Sequence, residues 1–175
     1  MQKATFAGGC FWCTEAIFQR LKGVKSVLPG YIGGELDYPT YEEVCTGETG
    51  HAEAIQIEFD ETLISFTDLL DVFFHTHDPT TLNRQGNDRG TQYRSAIFYY
   101  DELQKKQAEA YIQTLVNANE FDESIVTTLE VATKFNFAEG YHQNYYNSHK
   151  NDFYCDAVIS PKLSKLMSKY ADKLV

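Results

Sequence analysis

A two-layer α/β sandwich is predicted by three observations. Strand-like and helix-like stretches alternate along the chain. No repeat, low-complexity tract or Pro/Gly/Ser-rich linker divides the 175 residues, so one domain with a real core is expected. The element order reads β-α-β-β-α-β-α-β with a helical tail, which contains the βαββαβ core of a split-βαβ sandwich.

KATFA (3–7) reads as a short strand feeding the Gly8-Gly9 turn, and FWCTEAIFQRL (11–21) as an amphipathic helix with apolar Trp12, Ala16, Ile17 and Leu21 at three- and four-residue spacing. VKSVLPGYIGG (24–34) reads as a strand broken by Pro-Gly and ended by Gly-Gly. HAEAIQIEFD (51–60) nearly alternates, as in a half-buried strand. SFTDLLDVFFHTH (65–77) has helical periodicity, with Ser65 or Thr67 as its cap. DPTTLNRQGNDRGTQ (78–92) is rich in turn-formers and reads as a long loop, a feature that is usually functional or disordered. YRSAIFYY (93–100) is a strand. Residues 101–119 form the clearest helix, with Asp101 and Glu102 at its start. TTLEVA (127–132) is a further strand, and 161–174 is a helix with Pro161 in its first turn.

Composition narrows the function. A formal net charge of −10 disfavours binding to a phosphate backbone, which relies on Lys and Arg. The apolar runs are too short to span a bilayer, and MQKATFAGG lacks the apolar core of a secretory signal. A cytoplasmic protein is expected. In that reducing setting the four cysteines, Cys10, Cys13, Cys45 and Cys155, point to catalysis, metal binding or burial rather than to a disulfide framework.

GGCFWCTEAIF (8–18) carries the chemistry. A strand, two glycines and a cysteine opening a helix place a thiol at the positive end of a macrodipole, among unpaired N–H groups. A free thiol is about 3% ionised at pH 7, and such a setting is expected to raise that fraction. Cys13 follows on the same helix face, its Cα roughly 5 Å away, within the range a disulfide tolerates. Cys13 can therefore resolve an oxidised Cys10. Beside a reactive thiol, Phe11 and Trp12 offer an apolar wall suited to a methyl or thioether group. Three readings compete: a thioredoxin-like disulfide exchanger, a zinc site, and a reductase whose thiol attacks an oxidised sulfur. The exchanger fits poorly, because only nine residues precede the first cysteine. Zinc lacks a second CxxC, and His75-Thr76-His77-Asp78 has no matching partner spacing. A non-catalytic peptide-binding domain using the same aromatic wall is the alternative outside enzymology.

GCFWCTE, GYIGG, TGHAE and GTQYRSAIFYY, in that order, resemble the A class of the peptide methionine sulfoxide reductase family from about residue 5 to residue 155. The family motif usually reads GCFWG, so Cys13 replaces a glycine. The resemblance implies a ferredoxin-like sandwich, with residues 1–155 as the catalytic domain and 156–175 as a helical extension packed on it. It implies Cys10 as nucleophile and Phe11 and Trp12 as the S-methyl pocket. Glu53 becomes the acid that protonates the sulfoxide oxygen, Tyr31 and Tyr93 become its hydrogen-bond donors, and Asp88 an organiser of the polar side. Composition alone would read Glu53 as a solvated strand residue. Cys13 and Cys155 are both candidates to resolve Cys10, and the polar stretch around Cys155 suggests mobility. Cys45 is expected to be structural. The implied substrate is methionine S-sulfoxide, free or protein-bound, so the implied role is repair of oxidised proteins. The implied reductant is an external dithiol such as thioredoxin, with no bound cofactor or metal, no nucleic acid and no membrane.

Overall fold

In the computed structural model, which describes residues 1–175, β1 (Gln2–Gly8) runs into α1 (Phe11–Phe18), β2 (Val24–Ile32), the short α2 (Tyr41–Cys45), β3 (Ala52–Phe59) and α3 (Phe66–Thr76). A small hairpin follows, β4 (Arg84–Gln85) with β5 (Asp88–Arg89). Then come β6 (Ser95–Tyr99), α4 (Glu102–Asn117), β7 (Thr128–Val131), β8 (Asn136–Phe137), the single turn α5 (Tyr145–Ser148) and α6 (Ser160–Lys169).

Six strands form one sheet in the order β7-β6-β1-β3-β2-β8. Its central β6-β1-β3-β2 is antiparallel throughout, the split-βαβ arrangement expected. β7 makes the sheet mixed: it lies parallel to β6, reached through the α4 crossover. Helices cover one face. One apolar cluster joins Phe6 and Ile57 of the sheet to Ile17 of α1, Phe73 of α3, Leu115 of α4 and Leu166 of α6. The opposite face is lined by small residues (Ala7, Ala52, Ala54 and Ala96) with Ile32 and Phe98, and Phe135 packs against them.

Several segments differ from the sequence reading. β3 is buried on both faces rather than one, because it lies between β1 and β2 with an apolar cluster on either side. β2 is not broken at Pro29-Gly30. The Pro29 carbonyl accepts from Ala138 N (2.9 Å); in an antiparallel strand N–H and C=O of one residue face the same side, so the missing proton would have faced β8 and costs the β3 ladder nothing. Gly30 is required there, since a Cβ would lie 2.4 Å from Asn136 O and from the Phe135 ring. α1 is not amphipathic. It is buried all round except at Trp12, with the sheet beneath it and α5 and α6 above. Its helix stops at Phe18 rather than continuing to Leu21, and β6 starts at Ser95 rather than at Tyr93 because Thr91–Tyr93 is a 3-10 turn.

Caps follow the side chains available. Ser65 and Asp68 form a capping box on α3, Asp101 caps α4, and Thr40 with Glu43 boxes α2. The polar stretch around Cys155 is helical: residues 153–169 run continuously through a π-helical turn at Cys155–Ile159. Cys155 itself is fully buried, and the polar residues that suggested mobility form the outer side of that turn. The position between 155 and 156 thus falls inside one helix, and Leu163, Leu166 and Tyr170 belong to the main core. No helix is long and apolar enough to cross a membrane.

Candidate active site

The site begins where β1 ends. Gly9 has φ +92°, and a Cβ there would meet the Gln85 side chain at 2.6 Å, so only glycine permits this strand-to-helix corner. Gln85 in turn bonds the Asp78 backbone at both ends of its amide (2.9 Å each). The stretch 78–92 is a run of turns around the two-residue strands β4 and β5, and Gln85 braces it beneath the corner.

Cys10 caps α1 and retains only 9% exposure. A lowered pKa at this helix start is not what the structure gives. Burial pushes the Cys10 thiol well up, and the neighbouring Cys13 and Glu53 add to the effect. Only the Trp12 backbone N–H opposes it. Cys13, hydrogen-bonded by the Cys10 thiol, is held below the usual thiol range. The dipole argument failed because it weighed the N–H groups without the loss of water. The two thiols are close enough to titrate as a pair, with Cys10 shifted up and Cys13 down.

Glu53 comes from β3, directly across from Tyr31 of β2. It is 1% exposed. Its Oε1 accepts the Phe11 backbone N–H (3.2 Å), while Oε2 is buried with no partner. Burial raises its pKa to about 8, so at neutral pH the group is a neutral acid whose second oxygen has nothing in the protein to bond. That is the disposition of a proton donor awaiting an acceptor.

Tyr93 ends the 3-10 turn, and its hydroxyl is raised by burial and then by Glu53, Cys10 and Asp88 close by. Tyr31 is buried but already engaged: its hydroxyl donates to Glu139 Oε1 (2.9 Å), and Glu139 Oε2 accepts the Tyr41 N–H (3.0 Å). Asp88 accepts from the Tyr154 hydroxyl (2.8 Å), which also lies 3.6 Å from the Cys13 sulfur. Phe11 is fully buried, packed on Tyr31, Tyr41 and His142, so of the two aromatic residues in the motif only Trp12 retains open surface. Its indole N–H donates to His142 Nδ1 (3.0 Å).

Cys10, Cys13, Glu53, Tyr93 and Trp12 thus share one corner, with Asp88 joined through Tyr154. Cys155 is fully buried, its thiol raised first by burial and then by the charges of Asp152 and Cys13. Cys45 is exposed at the end of α2, beside Tyr41, its thiol raised by partial burial and then by the charge of Glu53 nearby. All four thiols are free. His75 and His77 serve the framework: His75 bridges Asp71 and Glu120 (3.0 Å each), and His77 bonds Ser95 Oγ (2.8 Å). No group of three His, Cys, Asp or Glu side chains is placed to hold a metal ion. Glu139, His142, Tyr145 and Tyr154 were not foreseen. They lie about 130 residues from α1, and no spacing rule connects them to it.

Residues 2–174 match the family model described as peptide methionine sulfoxide reductase. The chain is 56% identical over 170 residues to the peptide methionine sulfoxide reductase MsrA of Acinetobacter baumannii (strain SDF), spanning 97% of this chain and 96% of that one. Its fold is similar to the crystal structure of reduced Mxr1 from Saccharomyces cerevisiae, with TM-score 0.80, 33% identity and 88% of each chain covered. It also resembles Mxr1 in complex with Trx2 at TM-score 0.55, 23% identity and coverage of 82% and 84%, a likeness of fold.

Proposed function

The chain belongs to the peptide methionine sulfoxide reductase family, and from that premise we propose how its residues divide the reaction. The substrate is methionine S-sulfoxide, free or in an oxidised protein. The observation that carries the assignment is Glu53: a buried, neutral carboxylic acid with one unpartnered oxygen beside two thiols.

Sulfoxide sulfur is electrophilic, but its oxygen leaves poorly as an anion. Cys10 attacks the sulfur while its proton passes to the thiolate of Cys13. Glu53 gives its proton to the sulfoxide oxygen, a contribution of about 10²–10⁴-fold for a positioned acid. The hydroxyl then transfers from the substrate sulfur to Cys10, so methionine leaves and Cys10 becomes a sulfenic acid. Cys13 attacks that sulfur and water departs, leaving a Cys10–Cys13 disulfide. In sum, one sulfoxide and two thiols give one thioether, one disulfide and one water. Tyr93 is the available donor to the oxygen. Tyr31 can serve only by releasing Glu139. Trp12 holds the methyl group, with Phe11 as its backing.

Cys13, on the same helix face as Cys10, is the first resolving thiol, and Cys155 is the second candidate. An external dithiol of the thioredoxin type returns the enzyme to its reduced state, and free thiols of this kind suit the cytoplasm. The test is a single turnover without reductant, using excess S or R epimer. Methionine from the S epimer alone, with an intact-mass loss of about 2 Da, supports the scheme. No methionine from either epimer, with disulfide reduction instead, returns the CxxC to an exchanger.

A further inference from the structure

Glu15 is a buried carboxylate that the chemistry at Cys10 does not use. It is 2% exposed and sits three residues after Trp12, on the same face of α1. Burial raises it to about 7, opposed by backbone N–H groups of Asn144 and Tyr145; the Asn144 N–H lies 2.9 Å from Oε2. These two N–H groups open α5, where Asn144 takes the left-handed conformation at φ +58°. An asparagine adopts that conformation readily only when local hydrogen bonds support it.

The same turn shapes the indole's surroundings. The Tyr145 ring lies flat on Trp12, with centroids 3.8 Å apart and planes within 8°. His149 stacks on the far side of Tyr145 at 4.0 Å, and His142, just upstream, accepts the indole N–H. Trp12 is the one residue of α1 that the core leaves uncovered, so residues 142–149 supply its walls. Other bonds tie this segment to α1: Gln19 with Asn144 and Asn147, and Arg20 with Asn147. All of those are exposed, where water replaces a lost partner. The bond to Glu15 is part-buried, and its acceptor side chain is only 2% exposed, so water replaces it less readily.

We propose that Glu15 is a positioning residue for the substrate pocket: by accepting the N–H groups of Asn144 and Tyr145 it docks residues 142–149 on α1 and fixes the Trp12 indole. The identity of the pocket's occupant rests on the reductase reading above. Glu15 touches neither the thiols nor the sulfoxide, so its loss acts on binding rather than on the first chemical step.

Trp12 is the only tryptophan in the chain, so its fluorescence reports the site directly. Glu15→Ala is expected to make Trp12 more accessible to acrylamide quenching. It is also expected to raise KM for methionine S-sulfoxide about tenfold, with the saturating single-turnover rate within about threefold of wild type. Glu15→Gln keeps an acceptor and should restore both. If Glu15→Ala does not fold, Glu15→Asp withdraws the acceptor by one methylene and should show the same split. Unchanged quenching and KM in the folded variant overturn the proposal, as does Glu15→Gln being as impaired as Glu15→Ala. The quenching arm needs no substrate. Docking is therefore decided even if the wild-type chain fails to reduce a sulfoxide, a result that would instead refute the reductase reading.

Discussion

Replacing Glu53 by Gln should change how stability depends on pH, and the size of the change follows from its burial. The Glu53 carboxyl moves from an ordinary 4.5 to about 8 in the folded chain. A raised carboxyl means that the folded state holds a proton the unfolded chain has released. Folding therefore loses stability as pH rises from 4.5 towards 8, and the loss is complete above 8. At 1.36 kcal/mol per unit, the wild-type chain gives up about 3 kcal/mol through this one group between pH 5 and pH 8. Glutamine titrates nowhere in that range. Its buried amide carries its own cost, but the same cost at both pH values. The assay is urea unfolding of reduced wild type and Glu53→Gln at pH 5 and pH 8. The variant's stability relative to wild type should improve by about 3 kcal/mol from the lower pH to the higher. A difference that stays constant within about 1 kcal/mol would mean that Glu53 ionises normally in the fold, and the argument for a neutral acid would collapse.

Cys10→Ser should form no methionine at all. Cys13→Ser lacks the thiolate that takes the Cys10 proton, so it should complete the first step more slowly and stop as a sulfenic acid, a gain of about 16 Da by intact mass; a loss of about 2 Da would show that Cys155 reaches Cys10 unaided. Gly30→Ala should destabilise by about 2–3 kcal/mol in urea unfolding, since its Cβ falls 2.4 Å from Asn136 O; an unchanged midpoint would show that β8 yields freely. Tyr154→Phe removes the bond to Asp88 and should lower stability by about 1 kcal/mol, read by thermal unfolding of the reduced chain.

The split-βαβ core was legible because its signals are local: the short, turn-bounded runs of β1 and β6, the periodicity of α3 and α4, and caps such as Ser65 and Asp101. Irregular parts were not. α2, β8 and α5 are too short for periodicity to register, and Pro29 was taken as a strand breaker because the side its nitrogen faces depends on tertiary pairing. At the site, motif and resemblance singled out the cysteines, Glu53 and Trp12, which the fold brings to one corner. Two other properties were invisible. The sense of the Cys10 shift depends on how much water tertiary packing excludes, and the Tyr31 hydroxyl belongs to a glutamate 108 residues away. The same long-range packing hides Glu15, which reads in sequence as one more polar residue of a helix.

The central claim is that a neutral Glu53 protonates the sulfoxide oxygen as Cys10 attacks. It is tested most directly by the single-turnover rate of methionine formation, measured by rapid quench without reductant from pH 6 to pH 10. The wild-type rate should fall above about pH 8, approaching tenfold per unit, as Glu53 ionises, and Glu53→Gln should be slower by about 10²–10⁴-fold below that pH, with no such fall above it. A Glu53→Gln rate within a few-fold of wild type at pH 7 would contradict the account.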